Sequence, residues 1–250
     1  MLIITADDYG KTMRATDRIL ECFHGHSLTS ASAMVFMEDS KRAALLARGT
    51  KLEMGLHLNL TETFTESDVG AEIRREHARV ARYLNRHNYA HALFNPFLAG
   101  AFRLLIQSQW SQFEKLYDRS PDFVNGHHHM HLAANALTQH LLPVGTRIRG
   151  PFTFKAGEKG TVNRWYRNRV ASRLRNTFET PDCLYSIEPI TDVGRLQRIV
   201  RESLGKDVEL EVHPEHDEQR QFLLSPNFRR LLEGVDLQGF KHLARNTRRS

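Results

Sequence analysis

Short apolar runs separated by longer amphipathic stretches set the pattern of this chain. Residues 2–6 are an apolar strand closed by two adjacent acids, Asp7 and Asp8. A helical stretch follows to about Cys22, and a turn over 24–27 leads into TSASAMVF (29–36), a second strand. Asp39 or Ser40 can cap a helix over KRAALLAR, which Gly49 stops. KLEMGLHLNL (51–60) reads as a third strand, and 71–118 as mostly helical with a break near Asn95–Pro96. FVNGHHHMH starts as a short strand and gives way to a helix over about 133–140. The stretch 141–160, with two prolines and four glycines, is loop-rich. Two further strand–helix pairs follow, 183–187 with 193–204, and 208–212 with helices beyond. Strands separated by helices predict parallel βαβ units in one α/β domain over 1–250, closed or nearly closed into a barrel.

Composition narrows the class. Of 250 residues, 40% are hydrophobic and 26% charged, as in an ordinary globular protein. No apolar run approaches the roughly 20 residues of a membrane helix. The first apolar run has no basic segment before it and is cut off after Ala6, so it does not read as a signal peptide. Cys22 and Cys183 form no CxxC pair and read as incidental thiols in a reducing compartment, which makes the cytoplasm the expected location. The net charge of +6 is concentrated in RWYRNRVASRLR (164–175) and in the tail from about 245. Such runs are commonly a solvated face or a frayed terminus, with an anionic surface or polymer as the other reading. No nucleic-acid signature accompanies them, and no nucleic-acid partner is expected.

The polar clusters share one position in this pattern. Asp7–Asp8, His57 in GLHLNL, His127–His131 in NGHHHMH and His213 in EVHP each stand at the C-terminal end of an expected strand, the edge where (β/α) barrels build active sites. Taken singly, each has a plainer reading. An acid after a strand can cap the next helix, and His57 or His213 can be an ordinary strand or turn residue. The run HHHMH is harder to explain as structure. Alternation would send His127, His129 and His131 to one side and His128 to the other, a spacing suited to metal coordination by neutral imidazole. In the loop-rich stretch, Arg147, Arg149, Phe152 and Phe154 read either as substrate contacts or as a core strand and turn.

IITADDYG, HGHSLTSASAMV, GLHLNLTE, FVNGHHHMH and ELEVHPE, in that order, resemble the YdjC-like carbohydrate deacetylases, the family that contains the chitooligosaccharide deacetylases. The resemblance spans residues 2 to about 216. Two departures stand out: Asn125–Gly126 where the family often has Asp-Ser or Asp-Gly, and Glu215 where a glycine commonly follows His-Pro. The resemblance implies a single distorted, TIM-like (β/α) barrel with parallel strands, and one divalent metal ion, magnesium or zinc. Its ligands would be Asp8, His57 and His127, with Asp7 as general base and His213 as acid. His129 and His131 would be nearby polar groups, and the substrate an N-acetylated amino sugar or oligosaccharide; a homodimer is admitted. Another barrel metallohydrolase of phosphoesterase type, and a non-enzymatic binder of anionic polymer with a structural metal, are the alternative readings. Against the latter, structural zinc commonly uses cysteine, and none lies near the cluster.

Overall fold

The computed structural model describes residues 1–86, 89–154 and 157–243; the basic tail, 244–250, lies outside the described residues. Its six parallel strands are β1 (Leu2–Tyr9), β2 (Ser30–Ala33), β3 (Glu53–Leu58), β4 (Val124–Gly126), β5 (Cys183–Ser186) and β6 (Val208–Val212). They are hydrogen-bonded in the order β4-β3-β2-β1-β6-β5. Between and after them run α1 (Met13–His24), α2 (Ser40–Ala47), α3 (Ala71–Arg86), α4 (Ala99–Tyr117), α5 (Ala134–Thr138), α6 (Thr161–Arg175), α7 (Val193–Glu202), α8 (Asp217–Leu223) and α9 (Pro226–Leu231). This is the α/β fold of parallel βαβ units that the alternation of strands and helices predicts. None of the described helices is long and apolar enough to cross a membrane.

The chain divides into two compact units, one of Met1–Asp7, Asp17–Ala31 and Val144–Ser250, the other of Asp8–Thr16 and Ser32–Pro143. In the first unit, β1 runs beside β6 with Leu2 opposite Val208 and Ala6 opposite Val212, and β5 continues the ladder with Cys183 opposite Val208. Leu2, Ile3, Ile4, Leu184, Val208 and Leu210 are buried, as expected for strands covered on both faces. Two of its helices start where short polar side chains take an orphan N–H. Asp192 accepts from Arg195 N at the start of α7, and Ser225 from Phe228 N at the start of α9, where Pro226 occupies the first turn. The thiols of Cys22 and Cys183 are both buried here and not disulfide-bonded; burial, with Glu21 beside it, pushes Cys22 up to about 12, and burial and Glu202 raise Cys183.

In the second unit, β3 pairs with β4 so that Leu56, His57 and Leu58 stand opposite Val124, Asn125 and Gly126. Phe102, Leu105 and Phe113 of α4, Val80 of α3 and Phe123 fill its core. The fit is close at Gly55, where a Cβ would come within 2.5 Å of the Phe123 ring. Helix α4 stops at Asp118, whose left-handed φ of 54° lets its N–H close on Glu114 O. Two expectations change. The second strand is shorter than 29–36, because the chain turns out of the sheet and Phe36 has a φ of +65°. At the start of α2, Asp39 makes no cap bond and pairs with Arg42 at 2.7 Å, while Ser40 Oγ accepts from Met37 N and donates to Met34 O.

Candidate metal centre

Three strand ends of the second unit bring Asp8, His57 and His127 together. Asp8 stands near the end of β1 with a φ of +68°, a left-handed backbone that aspartate tolerates better than most residues and that breaks strict side-chain alternation with Asp7. His57 projects from β3, with Nε2 3.2 Å from Asp8 Oδ1. His127 follows β4, with Nδ1 3.1 Å from that same oxygen. One potential ligand atom from each residue lies within 4.8 Å of the others, and all three side chains are buried.

Neighbours fix the two imidazoles. Asn125, opposite His57 across the β3–β4 ladder, presents Oδ1 2.7 Å from His57 Nδ1, while its Nδ2 donates to Ser32 Oγ at 3.1 Å. With the amide oriented in this way, His57 donates from Nδ1, so a neutral ring aims the lone pair of Nε2 at the Asp8 carboxylate. His127 is flanked more strongly, since its Nε2 lies 2.9 Å from Glu62 Oε2 while Nδ1 faces Asp8. Two imidazole nitrogens converging on one carboxylate oxygen need a cation between them, a proton or a metal ion. The donor set therefore fits a divalent cation, with Glu62 and Asn125 behind the histidines as the carboxylate and amide supports that orient such ligands. Burial would raise the Asp8 carboxyl, but hydrogen bonds and charge from His127 and His57 outweigh it and hold it well below the usual carboxylate range. Lys11 Nζ adds a positive charge 3.5 Å from Asp8 Oδ2 and 3.2 Å from Glu62 Oε2.

Glu62 is aimed by a turn. Asn59 Oδ1 accepts from the N–H groups of Thr61 and Glu62, and Gln109 of α4 holds the backbone N–H and carbonyl of Asn59. The histidine run does not alternate as expected. Strand pairing ends at Gly126, and His128 and His129 take left-handed φ values of 53° and 59°, so the run coils back. A Cβ at Gly126 would be 2.8 Å from His131 N, which is why the fold-back needs glycine there. His131 is buried behind this turn, His129 is half-buried, and neither belongs to the convergent set. His128 instead places Nδ1 3.1 Å from Thr61 Oγ1.

The first unit contains a second polar group, built around Arg149. The sequence leaves Arg149 as either a substrate contact or part of a core strand and turn; the structure puts its guanidinium at 0% exposure among three carboxylates. Nη1 and Nη2 bond Asp7 Oδ2 and Oδ1 at 2.5 and 2.9 Å, Nε bonds Glu209 Oε1 at 2.8 Å, and Nη1 also reaches Glu211 Oε2 at 2.9 Å. Burial would lower the guanidinium's affinity for its proton, but Asp7, Glu209 and Glu211 raise it well above the ordinary value. Burial pushes Glu209 up, with Arg149 opposing. His213 approaches Glu211 with Nε2 3.9 Å from Oε1, its backbone N–H fixed by Gln219 Oε1, and Asp7, Glu211 and His213 form a second convergent set. Arg147 pairs with Glu179, while Phe152 and Phe154 line an open cavity of about 270 Å³ with Tyr185, Glu188 and Arg195.

Comparison with known proteins follows the same outline. The model of the YdjC-like protein family matches residues 1–234. A carbohydrate deacetylase of Mus musculus is 32% identical over 132 residues, which cover 52% of this chain and 43% of that protein. A chitooligosaccharide deacetylase of Proteus mirabilis (strain HI4320) is 28% identical over 133 residues, 53% of this chain and 50% of that one. The chain thus spans half the length, or less, of these curated relatives. A crystal structure from Enterococcus faecalis V583, described as a candidate cellobiose-phosphate cleavage protein, superimposes with a TM-score of 0.71 at 20% identity, covering 97% of this chain and 98% of that one. That likeness concerns the fold.

Proposed function

We propose that this chain, which belongs to the YdjC-like protein family, is a metal-dependent hydrolase that removes an N-acetyl group from an amino sugar or an N-acetylated oligosaccharide. The observation that carries the reading is the convergence of Asp8, His57 and His127, one carboxylate and two imidazoles, with Glu62 and Asn125 behind the rings. Three protein ligands leave coordination positions open, as catalytic sites do. A magnesium or zinc ion held there would supply Lewis-acid polarisation of the amide carbonyl and a lowered pKa for water.

The remaining work falls to the chain's own side chains. Asp7 precedes Asp8 directly and accepts a proton from the attacking water at a carboxylate oxygen. Arg149, with two hydrogen bonds to Asp7, fixes the plane of that carboxylate and is a positioning residue. His213, protonated at Nε2 beside Glu211, delivers a proton to the departing amine as the carbon–nitrogen bond breaks, leaving acetate and a free amino sugar. The relatives named carbohydrate and chitooligosaccharide deacetylases support this choice of substrate class. The test is acetate release from N-acetylated mono- and oligosaccharides by chelated protein, before and after magnesium or zinc is restored. Metal-dependent release is expected; full release by metal-free protein, or none from any N-acetylated sugar with either metal, would reject the reading.

A further inference from the structure

Helix α6 buries little of itself. Of its 15 residues only Leu174 is fully buried, whereas Val162, Trp165 and Tyr166 are 78%, 61% and 36% exposed. Between 159 and 178 the sequence carries Lys159, Arg164, Arg167, Arg169, Arg173 and Arg175 and no carboxylate. Arg169 and Arg173 are exposed and have no ion-pair partner among the described residues. Arg169 lies over the Trp165 ring, 5.4 Å from its centroid, and Arg167 covers Phe154 at 5.1 Å. Val162 and Arg169 are each spaced three or four positions from Trp165 and Tyr166, and Arg173 four from Arg169, so they form one stripe about 16 Å long.

An ordinary solvated helix mixes both signs of charge and covers its large apolar side chains. Here one face combines uncovered aromatic and aliphatic groups with unneutralised arginines, the composition that settles in the headgroup region of a bilayer. We propose that α6 docks this chain on an anionic lipid bilayer, with Trp165, Tyr166 and Val162 entering the interface and Arg169 and Arg173 meeting lipid phosphates. Charge complementarity selects the occupant: a neutral partner leaves the arginines without a counter-charge. A soluble polyanion satisfies the arginines and leaves Val162 in water. The proposal goes beyond hydrolysis and does not depend on it.

The experiment is co-sedimentation of the full chain with vesicles of phosphatidylcholine alone and of three parts phosphatidylcholine to one part phosphatidylglycerol. Binding is expected only to the anionic vesicles. It should fall when salt is raised from about 0.1 M to about 1 M, which shortens the screening length from about 10 Å to about 3 Å. Arg169→Gln/Arg173→Gln should weaken partitioning roughly 30-fold, from the usual contribution of two basic residues at such a surface. Trp165→Ala should weaken it several-fold and leave the salt dependence unchanged. All these side chains are exposed, so circular dichroism and melting temperature should match the parent. Equal binding to both vesicles, no binding to either, or undiminished binding by the double variant would overturn the proposal. So would binding to heparin that is tighter than to the anionic vesicles and indifferent to Trp165→Ala, which would assign the helix to a soluble polyanion.

Discussion

Asp7 and Asp8 are neighbours with different partners, and substitution should separate them. Asp8→Asn, His57→Ala and His127→Ala each remove a donor from the convergent set, so bound metal should fall well below one ion per chain while circular dichroism is kept. Full metal retention in all three would discard the ligand assignment. Asp7→Asn should retain metal and lose about 10²- to 10⁴-fold in turnover, the usual scale of general-base catalysis; equal metal loss from both aspartate variants would make Asp7 a ligand or its support. Glu62→Gln should lower metal affinity about 10- to 100-fold, as loss of a carboxylate behind a ligating histidine typically does. Unchanged affinity in a metal titration would leave Glu62 as a surface carboxylate. Arg149 invites the opposite test to the one its loop-rich sequence suggests. Arg149→Ala strands three carboxylates around an empty guanidinium site, and stability should drop by about 3 to 5 kcal/mol in urea unfolding. A variant as stable as the parent would show that the cluster relaxes or takes up water. The strand-end positions of Asp8, His57 and His127 were legible in the sequence because each stands at or near the C-terminal end of an expected strand. Arg149 was not, because its partners Glu209 and Glu211 lie on a strand some 60 positions away. The clue was Glu–Leu–Glu within β6: two like charges on one face of a buried strand require a counter-charge from elsewhere.

At the scale of elements, apolar runs fixed where strands begin more reliably than where they stop. β6 matches its expected span of 208–212, and the break in the long helical region takes in Asn95–Pro96 but is wider than expected, because α3 already ends at Arg86 and α4 begins at Ala99. The second strand already stops at Ala33, with left-handed Phe36 in the turn that follows, and the histidine run coils at left-handed His128 and His129. None of these three is a glycine, so composition gave no turn signal there. Glycine does carry the tight approach at β4. Gly126→Ala brings a Cβ against backbone at His131 N, a contact no side-chain rotation relieves. Gly55→Ala drives a Cβ into the buried Phe123 ring between β3 and β4. Both variants should unfold at lower urea than the parent, on the usual scale of about 1 to 3 kcal/mol for overpacking. Gly126→Ala should also lose metal affinity, because His127 hangs from that turn. If Gly126→Ala binds metal normally, the fold-back and the ligand position are independent.

For the molecule as a whole, acid stability should depend on a histidine outside the metal site. His77 of α3 packs its ring 4.1 Å from that of Phe64, and burial lowers its pKa from the usual 6.5 to about 4. Between those values the unfolded chain binds a proton that the folded chain does not. Stability is therefore intact above about pH 6.5 and declines as pH falls towards 4, by an amount on the order of 3 kcal/mol across the window. Urea unfolding at several pH values should show His77→Phe with a shallower acid decline than the parent; identical slopes would place the acid sensitivity elsewhere. The two buried thiols have a practical consequence. With Cys22 and Cys183 both protonated at neutral pH and shielded from reagents, maleimide chemistry should find almost nothing to modify in the native chain. A cysteine introduced at an exposed position such as Val162→Cys would then be the single site a fluorophore or spin label takes, with no need to remove the natural thiols first.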